Sequence, residues 1–391
     1  MKRLINPLAT ALVGLVAATL ATSCAPSSPR ATQEQIETAA AAIPSYYPPD
    51  YRTLLEASAE EDGLLVYSNI AEYNWQPILA AFAERYPWIE VQTLDMGPSE
   101  VFERYYSETA ANRRSADLIV SGAPDAWQRF ASRQGPEAYV SAELSHLPEW
   151  AQPLPGLYTI SVDPMIIIFN RSRIPEANWP DSLSDLVALG RADPARYSGK
   201  FATYDATSHA FAYAVHWRAV TGRTHDVWSD YAVLAPLTRP ETGGANMLDK
   251  VTTGEYLAAY FTSALTVFPH LRDSRRQEIV GWALPTDGTP LMPRGAAVTR
   301  AAANPASARL LLDFLLSRDG QIAAAQGGMT PFRDDVDASE TPFLTYAEIV
   351  RRIGEDNALR IEYRPELLSD YDSFSARWSA LFHTRASGAA Q

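Results

Sequence analysis

Ala116-Asp117-Leu118-Ile119-Val120-Ser121-Gly122-Ala123-Pro124-Asp125 passes from an apolar, β-prone run through three small residues into Pro-Asp, a pair suited to the first turn of a helix. It reads as strand, tight loop, helix. The same order stands upstream: Leu64-Leu65-Val66-Tyr67 reads as a strand ended by Ser68-Asn69, and Trp75, Ile78, Leu79, Phe82 and Tyr86 fall at helical spacing before Pro87. Residues 89–94 then alternate as a half-buried strand, and 99–112 read as helical. Strands separated by helices of this length predict an α/β fold with crossover connections.

Downstream, Met165-Ile166-Ile167-Ile168-Phe169-Asn170 is the most apolar β-type run beyond the N-terminal leader, as a strand buried on both faces requires. A second α/β stretch follows, with helices at 183–189 and 211–220 and strands at 200–204 and 257–260. Residues 279–282 and 296–298 bracket a turn-rich stretch, Pro285-Thr286-Asp287-Gly288-Thr289-Pro290, and helices are expected at 306–316, 320–325 and 369–382. The order predicts two lobes, residues 46–165 plus 290–330 and residues 166–289. A C-terminal helical segment, 331–391, would pack on them.

The single cysteine among 391 residues, Cys24, ends a leader made of Lys2-Arg3, an apolar run over 8–20 and Ala21-Thr22-Ser23. That run is too short to span a bilayer, which takes roughly 20 apolar residues, so 1–23 reads as a signal peptide and the protein as exported. Ala-Thr-Ser-Cys resembles the lipobox of bacterial lipoproteins, which implies a lipid anchor on Cys24 and a membrane-anchored protein at the periplasmic or cell-surface face. Residues 24–45, small and polar, read as a flexible tether. A net charge of -13 argues against nucleic acid or an anionic membrane surface as partner.

Six segments carry a resemblance in their order along the chain: Leu65-Val-Tyr-Ser-Asn69 with the helix ending Phe82-Ala-Glu-Arg-Tyr-Pro-Trp88; Ala116 to Asp125; Asp287-Gly-Thr-Pro-Leu-Met-Pro293; Asn304-Pro-Ala-Ser-Ala308; Leu312-Asp-Phe-Leu-Leu-Ser-Arg-Asp-Gly-Gln321; and Arg377-Trp-Ser-Ala-Leu-Phe382. Together they resemble the periplasmic substrate-binding proteins of ABC importers, in the branch grouped with ferric-ion, thiamine and phosphonate or phosphosugar binders. The resemblance implies a two-lobed periplasmic-binding fold of type II. It also implies a small-molecule solute held in the cleft, delivery to ABC permease subunits, a monomer, and no cofactor.

In an open α/β sheet, ligands sit beyond the carboxyl ends of the strands, where loop amides and helix N-termini converge. Those places are Ser68 and Asn69, then Ser121, Gly122 and Ala123, then Thr207 and Ser208; their hydroxyls and amides suit a carboxylate, a phosphonate or a phosphorylated compound. Arg239-Pro-Glu-Thr242-Gly-Gly-Ala245 adds a candidate cation, Arg239, and Thr242 beside two glycines. Tyr256, Tyr260 and Asp287 are expected at the cleft rim.

The ferric branch of the resemblance implies two adjacent tyrosine ligands, but the comparable stretch reads Tyr260-Phe261, so a ferric site would rest on Tyr260 and a synergistic anion. His209 and His216, seven apart on an expected helix, are roughly 10 Å apart along its axis and too distant for one ion. No metal ligand set is expected. An exported hydrolase is the rival class, yet Ser121-Gly122 lacks the Gly-x-Ser-x-Gly elbow, and neither a His-Glu-x-x-His nor a phosphate-loop motif occurs. The chain is not expected to be an enzyme.

Overall fold

The computed structural model describes residues 31–383. The leader and Cys24 lie outside the described residues. Among the described residues ten strands form one continuous sheet: β1 (Leu64–Ser68), β2 (Val91–Asp95), β3 (Leu118–Ser121), β4 (Tyr158–Asn170), β5 (Phe201–Tyr204), β6 (Thr238–Glu241), β7 (Ala258–Ser263), β8 (Val280–Ala283), β9 (Thr289–Val298) and β10 (Ala358–Arg360). Their order is β2-β1-β3-β9-β4-β7-β5-β6, with β10 on β9 and β8 on β4.

At one end β2, β1 and β3 are parallel, and β9 runs antiparallel to β3. At the other, β6, β5 and β7 are parallel, and β4 runs antiparallel to β7. The two halves meet along β4 and β9, antiparallel to each other. β4 is thirteen residues long and buried throughout. It pairs with β9 up to Pro164, and from Met165 onward with β7 on one side and β8 on the other. Pro164 and Pro293 fall in the β4–β9 ribbon, and Pro290 lies just beyond it, opposite Leu359 of β10. A proline donates no ladder hydrogen bond, so the ribbon is held less tightly there than its length suggests.

Helices cover both faces of the first half-sheet. Leu55, Trp75, Ile78 and Phe82 pack with Leu311, Phe314 and Leu315 on one face. Phe102, Tyr105, Trp127 and Phe130 form a ring cluster on the other. The second half-sheet shares its core with the C-terminal segment: Trp378 of the Tyr371–Phe382 helix is fully buried, its ring centroid 4.4 Å from that of His216 with the two planes tilted by 46°.

The expected tether is corrected by the structure. Residues Gln33–Ala41 form a helix whose Thr32 and Gln35 build a reciprocal capping box, and Ile36 and Ala39 are buried against the first half-sheet. Tyr46 and Tyr47 both donate to Glu143, which is fully buried and paired with Arg333. Regular structure is therefore present some fourteen residues before the expected start at Tyr46.

His216 sits at the centre of the second core, its Nδ1 2.8 Å from the Tyr231 hydroxyl and its Nε2 3.0 Å from the Tyr204 carbonyl. Burial lowers its pKa to about 3. The unfolded chain therefore takes up a proton near pH 6.5 that the folded protein refuses, and stability is lost as pH falls from 6.5 towards 3, at about 1.4 kcal/mol per pH unit. Between pH 6.5 and 5, wild type should lose about 2 kcal/mol more in urea denaturation than His216→Gln. Equal losses in the two proteins would show that His216 is not the group responsible.

Candidate functional site

The parallel strands of both halves aim their carboxyl ends at one cleft. Ser68, Asp95 and Ser121 end β1, β2 and β3, and Tyr204, Glu241 and Ser263 end β5, β6 and β7. The cleft holds about 350 Å³ and is lined from the first half by Asn69, Tyr73 and Asp95, and from the second by Tyr204, His209, the Thr242–Gly243–Gly244–Ala245 turn and Ser263. Arg294 of β9 forms its floor.

Arg294 is 3% exposed. Its Nη2 donates to Asp163 Oδ2 of β4 at 2.5 Å and lies 3.4 Å from Ser263 Oγ. Asp163 is satisfied further by Ser263 Oγ at 2.6 Å and by the Leu265 amide at 3.0 Å, which ties the floor to the start of the Ala264–His270 helix. The Arg294 Nε is buried without a partner among the described residues, and Nη1 donates to none of them. A buried guanidinium that lines a cleft and has donors without partners has the chemistry to receive an anion.

The Gly244–Thr253 helix begins at the same cleft with no side-chain cap, so its first amides are unspent. A Cβ on Gly243 would meet nothing within 4 Å; glycine there leaves the space above those amides open. His209 Nε2 lies 3.0 Å from the Thr242 carbonyl while its Nδ1 accepts from the Ala212 amide, so the ring fixes the turn that presents them. Burial lowers the His209 pKa and keeps it neutral. The Glu72–Arg85 helix likewise enters from the first half without a side-chain cap.

The sequence pattern that describes bacterial extracellular solute-binding proteins matches residues 67–322. The chain belongs to that family. A solute-binding protein of this family is exported and binds a small solute. Solved structures with the same fold include the substrate-binding protein of an ABC transporter from Agrobacterium tumefaciens, with TM-score 0.73, 22% identity, and 82% of this chain and 96% of that one covered. Iron-bound HitA from Pseudomonas aeruginosa matches with TM-score 0.63 and 20% identity over 82% and 99% of the chains. AfuA from Actinobacillus pleuropneumoniae, bound to fructose-6-phosphate, matches with TM-score 0.61 and 16% identity over 82% and 99%. No curated protein sequence matches the chain.

Of the solute-binding residues expected from the sequence, the structure brings Asn69 and Thr242 to the cleft. Asn69 Oδ1 accepts from the Gly122 amide at 3.1 Å, which leaves its Nδ2 unspent. Gly122 acts by its size: a Cβ there would stand 3.1 Å from Phe211 and 3.3 Å from Arg294 Nη1. Ser68 and Ser121 are buried and committed, Ser68 Oγ to the Ile70 carbonyl and to Trp75 Nε1, and Ser121 Oγ to the Pro98 carbonyl at 2.6 Å. Ala123 is buried at the start of the Pro124–Ser132 helix.

Other expectations are corrected. Thr207 and Ser208 form a turn on Asp205, which faces Trp378 and His383 of the C-terminal segment and not the cleft. Arg239 is an exposed residue of β6 that packs beside Gly199. Tyr256 donates to Glu241 and neighbours Lys250. Asp287 caps the Leu183–Ala192 helix through the Leu183 and Ser184 amides and pairs with Arg223. Tyr260 is fully buried in the second core, its hydroxyl 3.4 Å from Thr238 Oγ1, so it has no path to a ferric ion in the cleft.

Sequence reasoning missed Asp95, His209 and Arg294. Asp95 ends β2 in register with Ser68, so the strand-end argument applied to β1 and β3 would have found it. Arg294 was signalled by a lone charge in the otherwise uncharged run from Leu291 to Val298. Asp163→Ala would leave Arg294 buried without its counter-charge, and a loss of about 3–5 kcal/mol in urea denaturation is expected. A loss below about 1 kcal/mol would show that the pair is dispensable to the fold.

Proposed function

We propose that this solute-binding protein captures a small anionic solute, a carboxylate, phosphonate or phosphorylated compound, and hands it as a monomer to an ABC permease. The observation that carries the anion assignment is Arg294: a buried guanidinium whose Nε and Nη1 have no partner among the described residues, on the floor of a cleft entered by an uncapped helix N-terminus. Binding without turnover is favoured by Ser121 at the β3-to-helix turn, whose hydroxyl donates to the Pro98 carbonyl. Among the described residues no helix is long and apolar enough to cross a membrane. The membrane association we infer rests on the lipobox-like ending at Cys24.

A thermal-shift screen of carboxylates, phosphonates and sugar phosphates at constant ionic strength should reveal a stabiliser. At a hundredfold excess over its dissociation constant, a ligand of the folded state adds about 2.7 kcal/mol, an upward shift of about 5 °C for a chain of this size. Stabilisation by neutral polyols alone would remove the anion assignment. Separately, palmitate should label the protein in its natural host and should not label Cys24→Ser. Undiminished labelling of that variant would place the anchor elsewhere.

A further inference from the structure

We propose, building on the anion site assigned to Arg294, that the solute is a zwitterion: a small acid that also carries an ammonium or similar cation, received by Asp95. Asp95 lies on the cleft wall opposite the Thr242–Ala245 turn, and its carboxylate makes no hydrogen bond or ion pair with any described residue. Its side chain reaches solvent, yet the cleft walls crowd it enough to raise its pKa, an effect that Arg294 opposes.

Charge balance in the cleft points the same way. The Arg294 charge is already answered by Asp163 at 2.5 Å, and His209 is held neutral by burial. Asp95 is then a carboxylate in excess. A purely anionic solute on Arg294 would bring a second negative charge beside it, and like charges disfavour each other in a partly dried site. A solute with a cation at its far end removes that conflict. Tyr73 lines the same wall, close enough to Asp95 for the carboxylate to raise its hydroxyl pKa after burial has done so, and its ring offers a face for an ammonium group. The two poles of the solute would thus meet opposite walls, the acid on Arg294 and the 243–245 amides, the cation on Asp95 and Tyr73. A cleft of about 350 Å³ restricts it to a small molecule.

Calorimetric titration of the whole protein with matched probes tests this: 4-aminobutyrate, butyrate and butylamine, and 2-aminoethylphosphonate beside ethylphosphonate. The amino acid of at least one set should bind about tenfold or more tightly than its amine-free partner, a ratio within reach of one shielded charge pair. Asp95→Asn, a change at a solvent-reaching position, should erase that ratio and leave the amine-free acid bound as well or better. Equal or tighter binding of the amine-free acids by wild type, or a preference that survives Asp95→Asn, overturns the zwitterion while leaving the anion site standing. Binding of butylamine alone, or of no probe at all, overturns both.

Discussion

The ion pair between Asp163 and Arg294 is the contact on which the rest depends. It lies between β4 and β9, the strands by which the two half-sheets are joined, and both partners are almost wholly removed from solvent. Burying two charges is costly unless their remaining lone pairs and protons are met. Asp163 meets its share with Ser263 and the Leu265 amide, so the pair also anchors the end of β7 and the helix that follows. Arg294 leaves part of its share unmet. Arg294 lines the cleft, where a guest molecule could supply part of what is missing.

Both halves present the same chemistry to the cleft by the same route. Parallel strands end together, and the loops beyond them carry helix N-termini with spare amide donors. Neither wall lines the cleft alone: Asn69, Tyr73 and Asp95 come from one half, and Thr242 to Ala245 from the other. At β7 the register against β4 slips, with Phe261 at φ +57 as the extra residue. A bulky side chain adopts that backbone only under constraint, and the slip lies two residues before Ser263, where the strand reaches the floor.

The architecture was legible in the sequence wherever the signal was local. The strand–loop–helix passages at 64–86 and 116–132 declare themselves by composition, and β4 by an unbroken apolar run. The site was much less so. Ser68 and Ser121 stand where an anion-binding hydroxyl is expected, but carbonyls that only the folded chain brings near have claimed both. β9 was obscured by Pro290, Pro293 and Gly295, residues of poor strand propensity that tertiary pairing on both sides holds in place. The Gln33–Ala41 helix passed as a linker because its alanines and glutamines look featureless, although Thr32 and Gln35 carry a capping box and Ile36 supplies an anchor.

Arg294 lies on the ribbon about which the two halves are joined, and this separates two tasks that a binding site usually mixes. A group near the line that joins two bodies would hardly move if they approached each other, so its attraction for a solute would be nearly the same at either spacing. Such a contact would hold the guest but exert little leverage on the approach. Contacts far from that line would have the long lever arm. In this protein the floor belongs to the ribbon shared by both halves, whereas each wall belongs to one half alone, so a change in the angle between the halves would alter the walls' spacing and leave the floor in place.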